Sequence, residues 1–251
     1  MHPTQAPLAT AILLAAGRGE RMRPLTDTCP KPLLKVRGKA LMQWHLEALR
    51  SAGCARVVVN TDWLDAQIVE TFGDHFVGGP SLALSYSHEG RDFGGALETA
   101  GGIARALPLL DEVFWVLAAD VFTPGFEFSQ TAVKRFADSG MLAHLWLVPN
   151  PAHNPGGDFG LQDQPEGPAL ALNLAKDDPR PRFTYSTIGL YRRDLFEAPW
   201  CDIAPGNPQG VKAPLAPLLR RAMDRHQVSA ELYTGPWTDV GTPQRLAELN
   251  R

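Results

Sequence analysis

Short apolar runs that stop at a glycine, an asparagine or an aspartate recur through the first half of this 251-residue chain, with helix-spaced segments between them. Ala11 to Ala15 is the first such run and breaks at Gly17 and Gly19. Arg56 to Asn60 is β-branched, Leu82, Leu84 and Tyr86 alternate with small or polar residues, and Val113 to Ala119 is continuously apolar up to Asp120. Between them, Leu41, Trp44, Ala48, Leu49 and Ala52 recur at helical spacing before Gly53, as do Leu64, Ile68, Val69 and Phe72 before Gly73. Buried strands alternating with amphipathic helices predict an α/β fold, a Rossmann-like, mostly parallel mixed sheet with helices on both faces. In such sheets ligands lie outside the carboxyl ends of the strands. Gly17, Gly19, Asn60 and Asp120 each lie just past a strand and are expected to line one crevice.

The second half is less regular. Met141 to Val148 and Phe183 to Tyr191 read as strands, Leu215 to Met223 and Gln244 to Leu249 as helices. Pro149 to Pro181, rich in Pro, Gly, Asn and Asp, reads as a long, partly ordered excursion. No internal repeat and no linker is evident, so a single domain over residues 1–251 is expected.

Composition narrows the function classes. With 24 basic and 27 acidic residues and a net charge of −3, the chain lacks the basic footprint of a nucleic-acid binder. Cys29, Cys54 and Cys201 lie far apart with no CxxC pair, which argues against a zinc site or a disulfide framework and fits a reducing cytosol. Residues Leu8 to Gly17 are apolar and end in small side chains, but the seven residues before them carry no Lys or Arg, so a buried strand is expected there rather than a secretory leader. No apolar run approaches the ~20 residues of a membrane span. A cytoplasmic location without membrane contact is the expectation.

The strongest local signal is Leu13 to Pro32, LLAAGRGERMRPLTDTCPKP. Glycines let the backbone approach a phosphate, and successive N–H groups form an anion nest. Arg18, Arg21 and Lys31 can supply the opposing charge, and Lys31 lies between two prolines that restrict its backbone. A dinucleotide fingerprint would need a third glycine at Met22, and a P-loop would need a terminal GKS or GKT; neither is present. On the glycines alone, a turn with solvated arginines explains the segment as well.

The whole string, LAAGxGxRMxPLT followed by PKPL, resembles the signature of the sugar-1-phosphate nucleotidyltransferases. The resemblance implies a fold of the nucleotide-diphospho-sugar transferase type, a nucleotide-binding part near residues 8–125 and a sugar-binding part near 126–251. It implies that the loop of Ala15, Ala16, Gly17 and Gly19, with Arg21, wraps a triphosphate. It also implies that Lys31 steadies charge at the α-phosphate. Asp120, which taken alone reads as a cap on the next turn, would hold Mg²⁺. Asp239 in WTDVGT, otherwise a turn aspartate before Gly241, would complete the metal site. Leu97 to Gly102, LETAGG, resembles the family's base-binding LETGGG. Glu98 and Thr99 would then read the nucleobase, whereas the residues alone suggest a helix N-terminus in which Gly101 and Gly102 are odd.

Further strings resemble the subgroup that acts on N-acetylmuramate 1-phosphate: Asn150 to His153, Gly157 to Phe159 with Asp158, Phe183 to Gly189, and Lys212 with Ala216 to Leu219. Thr187 stands where that pattern has glycine, and Asn207 to Pro214 departs from it. The lactyl carboxylate of N-acetylmuramate requires a cation or several N–H donors, for which His153 and Lys212 are the candidates. The implied partners are UTP and a sugar 1-phosphate, with the protein a monomer or small homo-oligomer. Another sugar and base, or a silent nucleotide-binding regulatory subunit, stay open at this point.

Overall fold

The computed structural model describes residues 9–251; the first residues, on which the leader question turns, lie outside them. Ten strands form one sheet: β1 (Ala11–Leu14), β2 (Arg56–Thr61), β3 (His75–Phe76), β4 (Leu82–His88), β5 (Val113–Ala118), β6 (Ala143–Val148), β7 (Phe159–Gln162), β8 (Leu170–Leu172), β9 (Arg182–Arg192) and β10 (Val228–Leu232). Their order is β7-β8-β10-β6-β9-β5-β1-β2-β4-β3. β4, β2, β1 and β5 run parallel, as the strand–helix alternation requires. β9 enters antiparallel between β5 and β6, and β10 pairs parallel with β6. The sheet is therefore mixed.

Alternation along β1 explains why both faces are covered. Ala11 and Leu13 point into one core and Ile12 into the other, all fully buried. The first core receives Leu46 and Leu49 of helix α1 (Leu41–Ser51), Ile68 and Phe72 of α2 (Asp65–Phe72), and, past α3 (Glu98–Ala106), Phe136 of α4 (Gln130–Ser139). The second receives Ile103 and Ala106 of α3 and Leu215, Leu218 and Leu219 of α5 (Leu215–Met223). Local chemistry sets the helix ends. Gly53 and Gly73 take the positive φ of 85° and 61° that ends α1 and α2. Ser129 caps α4 by accepting the Ala132 N–H, and Thr242 caps α6 (Pro243–Leu249) by accepting the Arg245 N–H.

The order within the excursion over 149–181 is that of β7 and β8. Proline and glycine content hid two short strands whose partners are distant in sequence. β7 pairs with both β8 and β9, and β8 pairs with β10. Gly160 sits within β7 because Leu174 packs against it, 2.6 Å from where a Cβ would stand. A two-stranded pair outside the main sheet joins Val121–Phe122 antiparallel to Thr238–Asp239.

Candidate active site

A cavity of about 650 Å³ opens at the carboxyl ends of β1, β2 and β5, where the strand pattern places it. Its floor on the β1 side is Ala15, Ala16 and Gly17. The Ala15 N–H donates to Asn60 Oδ1 (2.7 Å), Asn60 Nδ2 donates to Glu89 Oε1 (2.7 Å), and Glu89 Oε2 accepts the Leu97 N–H (2.7 Å). This buried relay fastens the glycine loop to the start of α3. Burial raises the Glu89 pKa above its ordinary value, against the two hydrogen bonds that favour its charged form.

The relay also accounts for the glycine pair in LETAGG. A Cβ on Gly102 would stand 2.4 Å from Glu89 Oε1, and one on Gly101 2.4 Å from the Val211 carbonyl oxygen. The Ala100 and Gly101 N–H groups donate to the Ala213 oxygen, and Asn207 braces the segment by donating to the Gly101 and Val211 oxygens. Glu98, at φ 59°, and Thr99 line the cavity above the relay. Asn207 to Pro214, divergent in sequence, is thus the clamp on α3. Glu89 was not marked as a site residue in the sequence; its only local signal is a carboxylate one residue past a strand, at the mouth of the crevice.

Lys31 and Asp120 meet at the end of β5, where the ammonium donates to Asp120 Oδ2 and Lys31 is buried. The opening loop is braced on the other side. Arg18 lies 3.4 Å above the Trp63 ring and donates to the Thr26 oxygen, so its charge is engaged away from the cavity. Gly19, in the left-handed region at φ 66°, turns the loop into the helical turn Glu20–Met22 and does not line the cavity. Thr26 Oγ1 bonds its carbonyl at 2.8 Å.

Asp239 is brought beside Asp120 by the small strand pair, with the Val240 N–H donating to the Asp120 oxygen at 2.9 Å. Its carboxylate is paired with Arg245 and lies 3.4 Å from His153 Nε2. Asp239 Oδ1 is the buried oxygen that faces both of these groups. Burial lowers the His153 pKa, and the charges of Arg245 and Arg21 lower it further, so Arg21 belongs to this cluster.

The other expected residues separate. Asp158 lines the cavity and accepts the Tyr185 N–H at 2.8 Å. Asn150 does not line it: its amide ties the Pro155 and Arg182 oxygens and accepts from Thr184, shaping the loop before β7. Lys212 also lies off the lining, beside Gly95. Thr187, where glycine was expected, has φ 69° and sits at the bulge of β9 between Tyr185 and Gly189; its buried hydroxyl has no partner among the described residues.

A model of the family described as nucleotidyl transferase matches residues 10–251. The chain belongs to the nucleotidyl transferase family. It is an enzyme of the nucleotidyltransferase class, and the cavity is its candidate active site. Over 248 residues, 95% of both chains, this nucleotidyltransferase is 45% identical to the N-acetylmuramate alpha-1-phosphate uridylyltransferase of Neisseria meningitidis serogroup B. Over 109 residues, 43% of both chains, it is 40% identical to the enzyme of the same name from Caulobacter vibrioides. In fold it is similar to a UTP-bound UGPase from Acinetobacter baumannii, with a TM-score of 0.73 at 15% identity over 96% of this chain and 92% of the other. No helix among the described residues is long and apolar enough to cross a membrane.

Proposed function

We propose that this nucleotidyltransferase transfers the uridylyl group of UTP to N-acetylmuramate 1-phosphate, giving UDP-N-acetylmuramate and pyrophosphate in the cytoplasm, as a step of peptidoglycan recycling. The observation that carries the substrate pair is the 45% identity over 95% of both chains to the Neisseria enzyme of that activity.

The reaction needs no strong protein base. A phosphate monoester has a second pKa of about 6 and is mostly dianionic at pH 7. One of its oxygens attacks the α-phosphorus of UTP in line. The new P–O bond forms as the bond to the bridging α–β oxygen breaks, and pyrophosphate carries away the electron pair. The loop of Ala15, Ala16, Gly17 and Gly19 positions the triphosphate with Arg21, and Lys31 neutralises charge at the α-phosphate. Glu98 and Thr99 meet the base, and Asp158 serves the sugar side, with Asn150 shaping the loop before β7. On this reading residues 8–125 form the nucleotide part and 126–251 the sugar part.

Asp120 and Asp239 are the residues that would hold Mg²⁺. Their carboxylates supply the oxygen donors that suit a hard cation taking one or two carboxylates, and each already faces a cationic side chain, Asp120 that of Lys31 and Asp239 that of Arg245. When bound, Mg²⁺ would offset negative charge on the phosphates.

The test is pyrophosphate release with Mg²⁺, with several nucleoside triphosphates crossed against a panel of sugar 1-phosphates. Turnover confined to UTP and N-acetylmuramate 1-phosphate is expected. Preferred turnover of another pair would overturn the substrate assignment and keep the chemistry.

A further inference from the structure

We infer that Arg220 receives the lactyl carboxylate of the sugar and sets the preference for N-acetylmuramate 1-phosphate over the same sugar without its lactyl group. This rests on the proposed substrate. Among the described residues, two cationic side chains line the cavity, those of Lys31 and Arg220. Lys31 is already matched by Asp120 at the end of β5. Arg220, on α5, pairs with no carboxylate among the described residues. Its guanidinium lies over the Phe159 ring, 5.2 Å from the centroid, and its Nη1 donates to Asn173 Oδ1 at 2.7 Å. Asn173 is fixed in turn by donating to Asp224 at 2.9 Å. The plane of the guanidinium is therefore held, while Nε and Nη2 donate to no described residue. A planar fork with free donors suits a carboxylate, and holding it in place beforehand lowers the ordering cost of binding.

The placement fits the ligand. Phe159 begins β7 and pairs with Phe183 of β9, and β9 adjoins β5. Phe159, beneath the Arg220 guanidinium, thus lies about two strand spacings, roughly 10 Å, from β5, past whose end Asp120 stands. A pyranose with phosphate on C1 and a lactyl ether on O3 carries its two anions at separate points of the ring. Asp158, the acidic neighbour of Phe159, is engaged by the Tyr185 N–H and by Asn154. The two cations expected for this role are placed elsewhere: His153 shares Asp239 with Arg245, and Lys212 lies off the lining.

The experiment compares N-acetylmuramate 1-phosphate with N-acetylglucosamine 1-phosphate as acceptors for UTP in wild type, Arg220→Gln, Arg220→Ala and Arg220→Lys. For the Gln and Ala variants, kcat/KM on the lactyl substrate should fall about 30-fold or more, chiefly through KM, with the preference between the two sugars falling by a similar factor. Arg220→Lys should retain more of the preference than either. UTP affinity by calorimetry verifies that each variant is folded. An unchanged preference, or an equal fall on both sugars, overturns the inference. A wild-type enzyme that prefers N-acetylmuramate 1-phosphate while Arg220→Gln keeps that preference defeats the role of Arg220 alone; a wild-type enzyme that does not use this substrate defeats the substrate reading and the inference together.

Discussion

Asn60 Nδ2 donates to Glu89 Oε1 across 2.7 Å, with both residues buried. Each side chain spends its other polar atom on a backbone N–H, Asn60 on Ala15 and Glu89 on Leu97. Two side chains thereby set the spacing between the loop assigned to the triphosphate and the segment assigned to the base. A change that parts them should disturb nucleotide binding without touching the nucleotide.

Gly102 tests this. Gly102→Ala would press a methyl group to 2.4 Å from Glu89 Oε1 and 2.9 Å from Asn60 Nδ2. The expected cost is about 1–3 kcal/mol of stability, with weakened UTP binding. Gly17→Ala is the contrast, because nothing lies within 4 Å of where its Cβ would stand and the residue lines the cavity. That variant should keep its urea midpoint and lose UTP affinity. Equal midpoints for the two variants would contradict the packing argument.

Lys31→Ala should lower kcat/KM by about 10²–10³-fold, the range for loss of one preorganised electrostatic group. Pyrophosphate release measures it. Retained activity would remove Lys31 from the reaction.

Asp239→Asn should raise the Mg²⁺ concentration for half-maximal turnover about 10-fold or more, and chelation should abolish turnover of the wild type until Mg²⁺ is restored. A magnesium titration of both proteins decides this. Coincident curves would leave Asp120 to act without Asp239.

Thr187 is a β-branched residue held at φ 69°, a conformation suited to glycine. Relief of such strain is worth on the order of 1–3 kcal/mol, and the greater freedom of glycine when unfolded takes back about half to one. Thr187→Gly should therefore be more stable by about 1 kcal/mol in chemical denaturation. A destabilised variant would mean that the Thr187 side chain holds the bulge in place.

Acid sensitivity should trace partly to Glu231. Its carboxyl is held down to about 2, first by His144, whose Nε2 is 3.6 Å away, and then by the Trp146 indole N–H and Arg135; burial opposes them. A carboxyl lowered in the folded state contributes stability above its unfolded pKa, near 4.5, and loses it as pH falls toward 2. Glu231→Gln should flatten the dependence of the urea midpoint on pH in that window. An unaltered slope would rule Glu231 out as its source.

The sequence by itself determined the parallel half of the sheet and the positions of its loop residues. Apolar runs ending at Gly17, Asn60 and Asp120 can be buried only as strands whose carboxyl ends share an edge, and all three residues line the cavity. Motif resemblance singled out Lys31 as well, and marked position 187 as a glycine site, which its left-handed backbone explains. Strand order and register decided the rest, since they bring together residues far apart in the chain. Glu89 meets Asn60 across 29 residues because β4 lies beside β2, and Asp239 reaches Asp120 through a two-residue strand too short to carry a pattern. The same holds for β7 and β8, which exist because distant partners supply their hydrogen bonds, and for the Arg220 guanidinium, which reaches the cavity wall only because β7 folds back along β9 and sets Phe159 beneath it.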